Sequence, residues 1–93
     1  MPKLILTQKA QSNLDKIIEN IVDYTGYELS GIKLSNDLYE KMELIAFMPT
    51  IGRCRDDGSL ETFCRNYRIV YEIIDDIVYI ETIIHCSRLY PRP

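Results

Sequence analysis

Histidine is scarce in this sequence, and metal-binding and phosphate-binding motifs are absent from it. His85 is the one histidine among 93 residues, and no Cys-x-x-Cys, His-x-His, His-Glu-x-x-His or glycine-rich phosphate loop occurs. Cys86 follows His85 directly. Neighbouring strand residues point to opposite faces, so the two could act as nucleophile and base only if the strand breaks there. We therefore expect no metal and no cofactor, and conventional metabolic enzymes are poor candidates.

A basic excess and long apolar runs are also missing. The net charge is −3 and the sequence pI is about 5.0. These values argue against a protein that binds nucleic acid mainly by neutralising phosphates, although they leave room for a local basic patch. No apolar run approaches the ~18 residues of a membrane span, and no signal peptide is recognisable. Cys54, Cys64 and Cys86 lack metal-type spacing and suit reduced thiols. We expect a cytoplasmic protein with no membrane partner.

The sequence does have the composition of a small globular protein. Apolar residues make up 46% of the chain and charged residues 27%, so disorder is not expected. No internal repeat, low-complexity tract or linker is visible. The length of 93 residues suits one domain that spans residues 1–93.

The first quarter of the chain predicts a short strand followed by an amphipathic helix. Residues 3–6 are the strand candidate, and Thr7 is a suitable N-cap for a helix that runs from Gln8 to about Thr25. Gly26 suits the left-handed conformation that ends many helices. The apolar residues of this helix recur at spacings that place them on one face: Ala10, Leu14, Ile17, Ile18 and Ile21.

A second amphipathic helix is predicted from about Leu29 to Phe47. Gly31 weakens its start, and Pro49 ends it, because proline disfavours the helical conformation in the preceding residue. Its apolar stripe consists of Leu34, Leu38, Met42, Ile45 and Ala46. The two helices should form an antiparallel hairpin whose apolar face packs on strands farther along the chain.

The second half of the chain predicts strands joined by tight turns. Asp57-Gly58 is a hairpin-turn signal between a strand near residues 53–56 and another over residues 59–64. A longer hairpin covers residues 66–88, with its turn at Asp75-Asp76. The order is summarised as β-α-α-β-β-β. We expect an α+β domain of two layers, with the helices on one side of a mostly antiparallel sheet.

A two-residue turn at Asp75-Asp76 specifies which residues of the long hairpin face each other. The predicted pairs are Ile73 with Val78, Tyr71 with Ile80, Ile69 with Thr82, and Tyr67 with Ile84. These residues share one apolar face. On the other face this register brings Arg68 and His85 to diagonal positions where the chain leaves the sheet.

Arg68, His85, Arg88 and Tyr90, together with Arg53 and Arg55, are therefore the candidate functional residues. If these residues form a cationic and aromatic patch, they could bind RNA or an acidic partner. A metal-free ribonuclease could use arginines to stabilise a phosphate and His or Tyr as general acid or base. The simpler interpretation is that Arg68 pairs with Glu72 or Glu81 on a solvated sheet face, and that His85 caps the strand.

The long hairpin resembles the C-terminal hairpin of the RelE/ParE toxin superfamily of bacterial type II toxin–antitoxin modules. The similar segments are Asn-Tyr-Arg-Ile-Val-Tyr at 66–71, the acidic turn, and Val-Tyr-Ile-Glu-Thr-Ile-Ile-His-Cys-Ser-Arg at 78–88. A short first strand, a helical hairpin and the Pro-x-x-Gly-Arg loop at 49–53 extend the resemblance over nearly the whole chain. The ParE branch is the more similar, through Tyr-Arg-x-x-Tyr and the His-x-x-Arg ending.

This resemblance implies a toxin that binds and inhibits DNA gyrase and is neutralised by a cognate antitoxin. Arg53, Arg68, His85, Arg88 and Tyr90 would then be partner-binding residues. The RelE branch instead cleaves mRNA on the ribosome, in which case Arg68, His85 and Tyr90 would be catalytic. A third alternative is a relative that is not toxic and only binds its antitoxin.

Two features depart from the family pattern. Ser87 stands where the family often has arginine in its His-x-Arg-Arg ending. No lysine lies beyond Lys41, so the sheet lacks the lysine cluster of the nuclease branch.

Overall fold

The computed structural model describes residues 3–85. Predictions that involve Cys86, Ser87, Arg88 and Tyr90 lie outside the described residues. The elements in chain order are β1 (Lys3–Leu6), α1 (Gln8–Thr25), α2 (Glu28–Phe47), a 3₁₀ turn (Pro49–Ile51), β2 (Arg53–Cys54), β3 (Leu60–Cys64), β4 (Tyr67–Ile74) and β5 (Ile77–His85).

The strands form one five-stranded sheet in the order β1-β5-β4-β3-β2. β1 pairs with β5 in parallel, and the other three pairings are antiparallel. The predicted α+β class, with a strand and two helices before a mostly antiparallel sheet, is confirmed. All four strands predicted after the helices are present, with β2 as two residues paired with β3, so the sheet has one strand more than the summary order β-α-α-β-β-β.

The predicted limits of α1 are confirmed by both of its caps. Thr7 Oγ1 accepts a hydrogen bond from the Ala10 N–H at 3.2 Å and donates one to the Ile80 carbonyl at 2.9 Å. Thr7 therefore starts the helix and also ties it to β5. Gly26 ends the helix in the left-handed region at φ 77° and donates its N–H to the Val22 carbonyl.

Gly31 lets the two helices approach closely. It is buried, and a Cβ atom at this position would lie 2.6 Å from Val22 Cγ2 and 3.2 Å from Ile18 Cγ2. Gly31 lowers helix propensity at the start of α2, but the close contact between α1 and α2 requires a residue without a side chain at this position.

The core lies between the helical hairpin and one face of the sheet. Both helices contribute the apolar stripes that the sequence predicts, and the half-buried members of these stripes are Ile17, Ile18, Ile21 and Ala46. The buried core cluster consists of Ala10, Leu14, Leu34, Leu38, Met42, Ile45, Ile69, Tyr71, Val78, Ile80 and Ile83. Most of what stabilises the hairpin is therefore burial against the sheet rather than intrinsic helix propensity.

The predicted register of the long hairpin is correct near its turn and wrong farther away. Asp75 and Asp76 adopt φ values of 51° and 64°, and Tyr71 faces Ile80 as predicted. A bulge then leaves Glu81 without an opposite residue. Beyond it the observed pairs are Val70 with Thr82, Ile69 with Ile83, Arg68 with Ile84, and Tyr67 with His85.

Packing against the helices explains the extra residue in β5. Without it, strict alternation would direct Thr82 into the core and Ile83 toward solvent. With it, Ile83 is 2% exposed, and Asn13 of α1 accepts hydrogen bonds from the Thr82 hydroxyl at 2.7 Å and the Ile83 N–H at 3.2 Å. The bulge thus buries an isoleucine and gives the threonine a polar partner.

Within residues 3–85 no helix combines the length and the apolar character that crossing a membrane requires. Cys54 and Cys64 are free thiols, and burial raises the pKa of the Cys64 thiol.

Candidate partner-binding surfaces

Arg68 and His85 lie on opposite faces of the sheet, so the predicted patch that joins them is wrong. Arg68 faces Ile84 across the β4–β5 ladder, and His85 faces Tyr67. The Tyr67 and His85 rings meet edge to face, with centroids 5.1 Å apart. The cause is the bulge at Glu81, because one additional residue in β5 moves every later side chain to the other face.

Arg68 lies on the sheet face that the helices leave uncovered, which we call the outer face. Its Nε atom is 3.6 Å from Glu61 Oε1, and its guanidinium carbon is 5.6 Å from the centre of the Phe63 ring. Arg55 Nε lies 3.5 Å from the same carboxylate oxygen. The predicted pairing of Arg68 with Glu72 or Glu81 is therefore replaced by a contact with Glu61 on β3.

Arg68 is more confined than a solvated surface arginine. Its side chain is 18% exposed, and its Nε atom is buried without a hydrogen bond, since 3.6 Å is too long for one. Glu61 is 14% exposed and is shared by two arginines. The positive charge of Arg68 is thus largely committed to contacts within the protein.

Two further carboxyl groups lie together on the outer face. The pKa of Glu81 is raised above its ordinary value. The largest cause is a hydrogen bond with the Glu72 side chain, and burial and the charge of Glu72 add to it. Among residues 3–85, Glu61, Glu72 and Glu81 offset the charges of Arg53, Arg55 and Arg68. The described part of the outer face therefore carries no excess of positive charge.

His85, the other member of the predicted patch, lines a groove beside α1. The groove has a volume of about 410 Å³ and lies between α1 and the ends of β4 and β5. We call it the α1–β5 groove. Its lining consists of Asn13, Lys16, Ile17, Asn20, Tyr67, Ile83, Ile84 and His85. Sequence reasoning missed the residues from α1, although their spacing of three and four residues was a visible signal.

Arg53 pairs directly with Glu61 and lies at the β2 edge of the outer face. It is exposed and lines a shallow depression of about 320 Å³ together with Cys54, Arg55, Asp56, Asp57 and Glu61. The loop before it is anchored by Tyr71, whose hydroxyl donates to the Pro49 carbonyl at 2.8 Å and accepts from the Gly52 N–H at 3.0 Å. The predicted site residues among 3–85 are thus divided between the outer face and the α1–β5 groove.

The helical hairpin leaves large apolar side chains in solvent. Tyr24 and Tyr27, at the tip, are 90% and 70% exposed, and Phe47, at the end of α2, is 73% exposed. Leu29, Ile32, Tyr39, Leu44 and Met48 add to this exposed apolar area. So much apolar surface on a small protein is typical of a partner-binding region.

Residues 3–85 contain no group of three or more His, Cys, Asp or Glu side chains that could hold a metal ion. The chemistry of the described surfaces is that of ion pairs, amides, aromatic rings and apolar contacts.

The fold and the sequence both match a known toxin family. Residues 4–90 match the family profile described as the ParE toxin of the type II toxin–antitoxin system parDE. A solved structure of the chromosomal ParDE toxin–antitoxin system from P. aeruginosa has a similar chain, with a TM-score of 0.80 and 20% identity over 91% of this chain and 96% of that chain.

A second solved structure, the toxin–antitoxin complex RelBE2 from Mycobacterium tuberculosis, matches with a TM-score of 0.54 and 21% identity over 91% of this chain and 99% of that chain. Comparison with curated proteins found no match. At these identities the solved structures support the fold, while the profile match covers almost the whole sequence. This chain therefore belongs to the ParE toxin family of type II toxin–antitoxin systems.

Proposed function

We propose that this protein is a toxin that binds and inhibits DNA gyrase and is held inactive by a cognate antitoxin. The observation that carries the proposal is the match to the ParE family across residues 4–90. The structural similarity to a chain of a ParDE system supports it.

The electrostatics of the outer face favour a binding role over RNA cleavage. A phosphate would have to compete with Glu61 for Arg55 and Arg68, and it would approach the carboxyl pair of Glu72 and Glu81. Repulsion of this kind opposes the phosphate contacts on which nucleic-acid binding depends. His85, the one imidazole that could act as a general acid or base, lies on the opposite face from Arg68.

A supercoiling assay tests this proposal. Purified toxin is titrated into DNA gyrase with relaxed plasmid, and the antitoxin encoded beside the toxin is then added back. We expect inhibition that the antitoxin relieves. Normal supercoiling in the presence of excess folded toxin would contradict gyrase inhibition. If the wild type inhibits gyrase, alanine variants of Arg53, Arg88 and Tyr90 will show which of these predicted partner-binding residues affects inhibition.

We infer that the antitoxin covers the helical hairpin and a free sheet edge. The exposed apolar side chains of the hairpin supply the surface. β2 pairs only with Leu60 and Glu61, so residues 62–64 of β3 have no further strand beside them within residues 3–85. Such an edge can accept an added strand. Hydrogen exchange should slow in both segments when the antitoxin binds, and unchanged exchange there would refute this placement.

A RelE-like mRNA endonuclease that requires the ribosome is the second candidate. The observation in its favour is the similarity of the fold to a chain of the RelBE2 complex. In this case the wild type would cleave mRNA bound to ribosomes, and Arg68→Ala, His85→Ala or Tyr90→Ala would abolish cleavage without unfolding the protein. Cleavage unaffected by these changes would remove the three residues from the mechanism. Inactivity in both assays would favour a relative that only binds its antitoxin.

A further inference from the structure

The lining of the α1–β5 groove within residues 3–85 carries no acidic side chain, although the protein is acidic. None of its eight lining residues is Asp or Glu, whereas the chain has 14 acidic residues. Lys16 supplies an ammonium group to the lining, and Asn13 and Asn20 lie on the same side of α1. Lys9, four residues before Asn13, continues this row of amide and ammonium groups. The groove is therefore suited to an anion.

Contacts within the protein orient one of the amide groups. Asn13 Oδ1 accepts hydrogen bonds from both Thr82 and Ile83, so its NH₂ group points away from β5. Lys16 makes no hydrogen bond or ion pair with any residue between 3 and 85, and it is exposed. The groove thus offers a fixed amide donor beside an ammonium group that is not committed to a contact in the described part of the chain.

The remaining lining indicates what kind of anion fits. Ile17 and Ile83 contribute apolar side chains to the lining, which we call the floor, and the Tyr67 and His85 rings also line the groove. A free phosphate would leave these apolar groups uncovered. A carboxylate side chain within a peptide would place its charge on Lys16 and its neighbouring apolar residues on the floor. A nucleic acid strand needs several phosphate contacts, and the lining has one lysine.

We propose that the α1–β5 groove binds an acidic segment of the antitoxin, with a carboxylate held by Lys16, Asn13 and Asn20. This inference rests on the proposed neutralisation by a cognate antitoxin and deepens it by naming a contact. The groove holds one or two side chains of an extended segment, while the apolar hairpin surface takes a larger apolar element. The sequence after His85 adds Arg88 and Arg92 and no acidic residue, which is consistent with an acidic partner.

Calorimetric titration of the purified toxin with the antitoxin encoded beside it tests the groove. We compare the wild type with Lys16→Gln, Lys16→Glu and Lys3→Glu. Lys3 is an exposed lysine of β1, outside both the groove and the helical hairpin, so Lys3→Glu makes the same change in total charge. We expect Lys16→Glu to raise Kd by about tenfold or more, Lys16→Gln to raise it less, and Lys3→Glu to change it by no more than about threefold. Circular dichroism should show that all four proteins are folded, since both lysines are exposed.

A charge exchange identifies the partner residue. Each acidic residue of the antitoxin is changed to lysine, and one such change should restore binding to the Lys16→Glu toxin while weakening binding to the wild type. Equal Kd values for Lys16→Glu and Lys3→Glu would overturn the groove assignment but leave neutralisation intact. An antitoxin that fails to bind even the wild-type toxin would instead contradict the proposed function.

A second titration separates a carboxylate from a phosphate. Free toxin is followed by NMR while sodium phosphate or adenosine monophosphate is added. We expect no saturable shift of the Asn13 and Asn20 side-chain amides. Saturable shifts confined to the groove would mean that it is a phosphate site, and the peptide assignment would be wrong.

Discussion

The buried hydroxyl of Tyr71 holds the loop between α2 and β2, and Tyr71→Phe should therefore destabilise the protein. Tyr71 is 0% exposed, and its hydroxyl bonds with both Pro49 and Gly52. The phenylalanine keeps the ring and removes only the oxygen. The Pro49 carbonyl and the Gly52 N–H then lose their partner.

The expected loss can be worked from these contacts. A buried polar group left without a partner costs about 1–3 kcal/mol. Pro49 and Gly52 are only half-buried, so partial hydration lowers the total for both to about 2 kcal/mol. In a domain of this size, that corresponds to a fall in Tm of roughly 8–16 °C. Urea unfolding followed by circular dichroism measures the free energy of unfolding directly.

Tyr79→Phe is the matched control. Tyr79 is half-buried on the neighbouring strand and makes no hydrogen bond with its side chain within residues 3–85. Removing its hydroxyl should change the free energy of unfolding by less than about 0.5 kcal/mol. If the two variants unfold at the same urea concentration, the Tyr71 hydroxyl does not anchor the loop. Gly52→Ala adds a second check, because its Cβ would meet the Tyr71 hydroxyl and should cost less in the Tyr71→Phe background.

Three other predictions test the β4–β5 hairpin and the core. The hydrogen bond with Glu72 raises the pKa of Glu81 in the folded state. The protonated Glu81 carboxyl therefore stabilises the folded protein at low pH, and this stabilisation is lost as the pH rises above 4.5, the ordinary pKa of the group. Glu81→Gln should therefore raise Tm at pH 7 but not at pH 4, and an equal effect at both would contradict the carboxyl pairing. Asp76→Gly relieves a positive φ in the β4–β5 turn and should stabilise by roughly 0.5 kcal/mol in urea unfolding, whereas a lower midpoint would contradict that turn geometry. Leu38→Ala should cost about 2–5 kcal/mol, and Leu44→Ala, on the exposed side of the same helix, much less.

The helices and turns of this protein could be predicted because their signals are local. The N-cap at Thr7, the left-handed Gly26 and the turn at Asp75-Asp76 each depend on one or two residues and their immediate neighbours. α1 has its predicted limits, and α2 begins one residue before its predicted start. The family resemblance, which rests on ordered motifs along the chain, also agrees with the profile match.

The candidate site could not be predicted in the same way, because it depends on the register at the far end of a hairpin. Placing Arg68 beside His85 required strict alternation from the turn to His85, and the bulge at Glu81 ended that alternation. Nothing in the local sequence of β5 marks the bulge. It depends on Asn13, about 70 residues earlier, which accepts hydrogen bonds from Thr82 and Ile83.

The sequence by itself determined the class of fold, the limits of the helices, the two tight turns and the toxin family. Hydrophobic spacing and capping residues carry that information within a few neighbouring positions. Only the tertiary structure decided which face each charged residue occupies: Arg68 with Glu61 on the outer face, and His85 beside Lys16 and Asn13 in the α1–β5 groove. The physical reason is that a side chain changes face with a shift of one residue, and long-range packing of Ile83 against the core sets that shift.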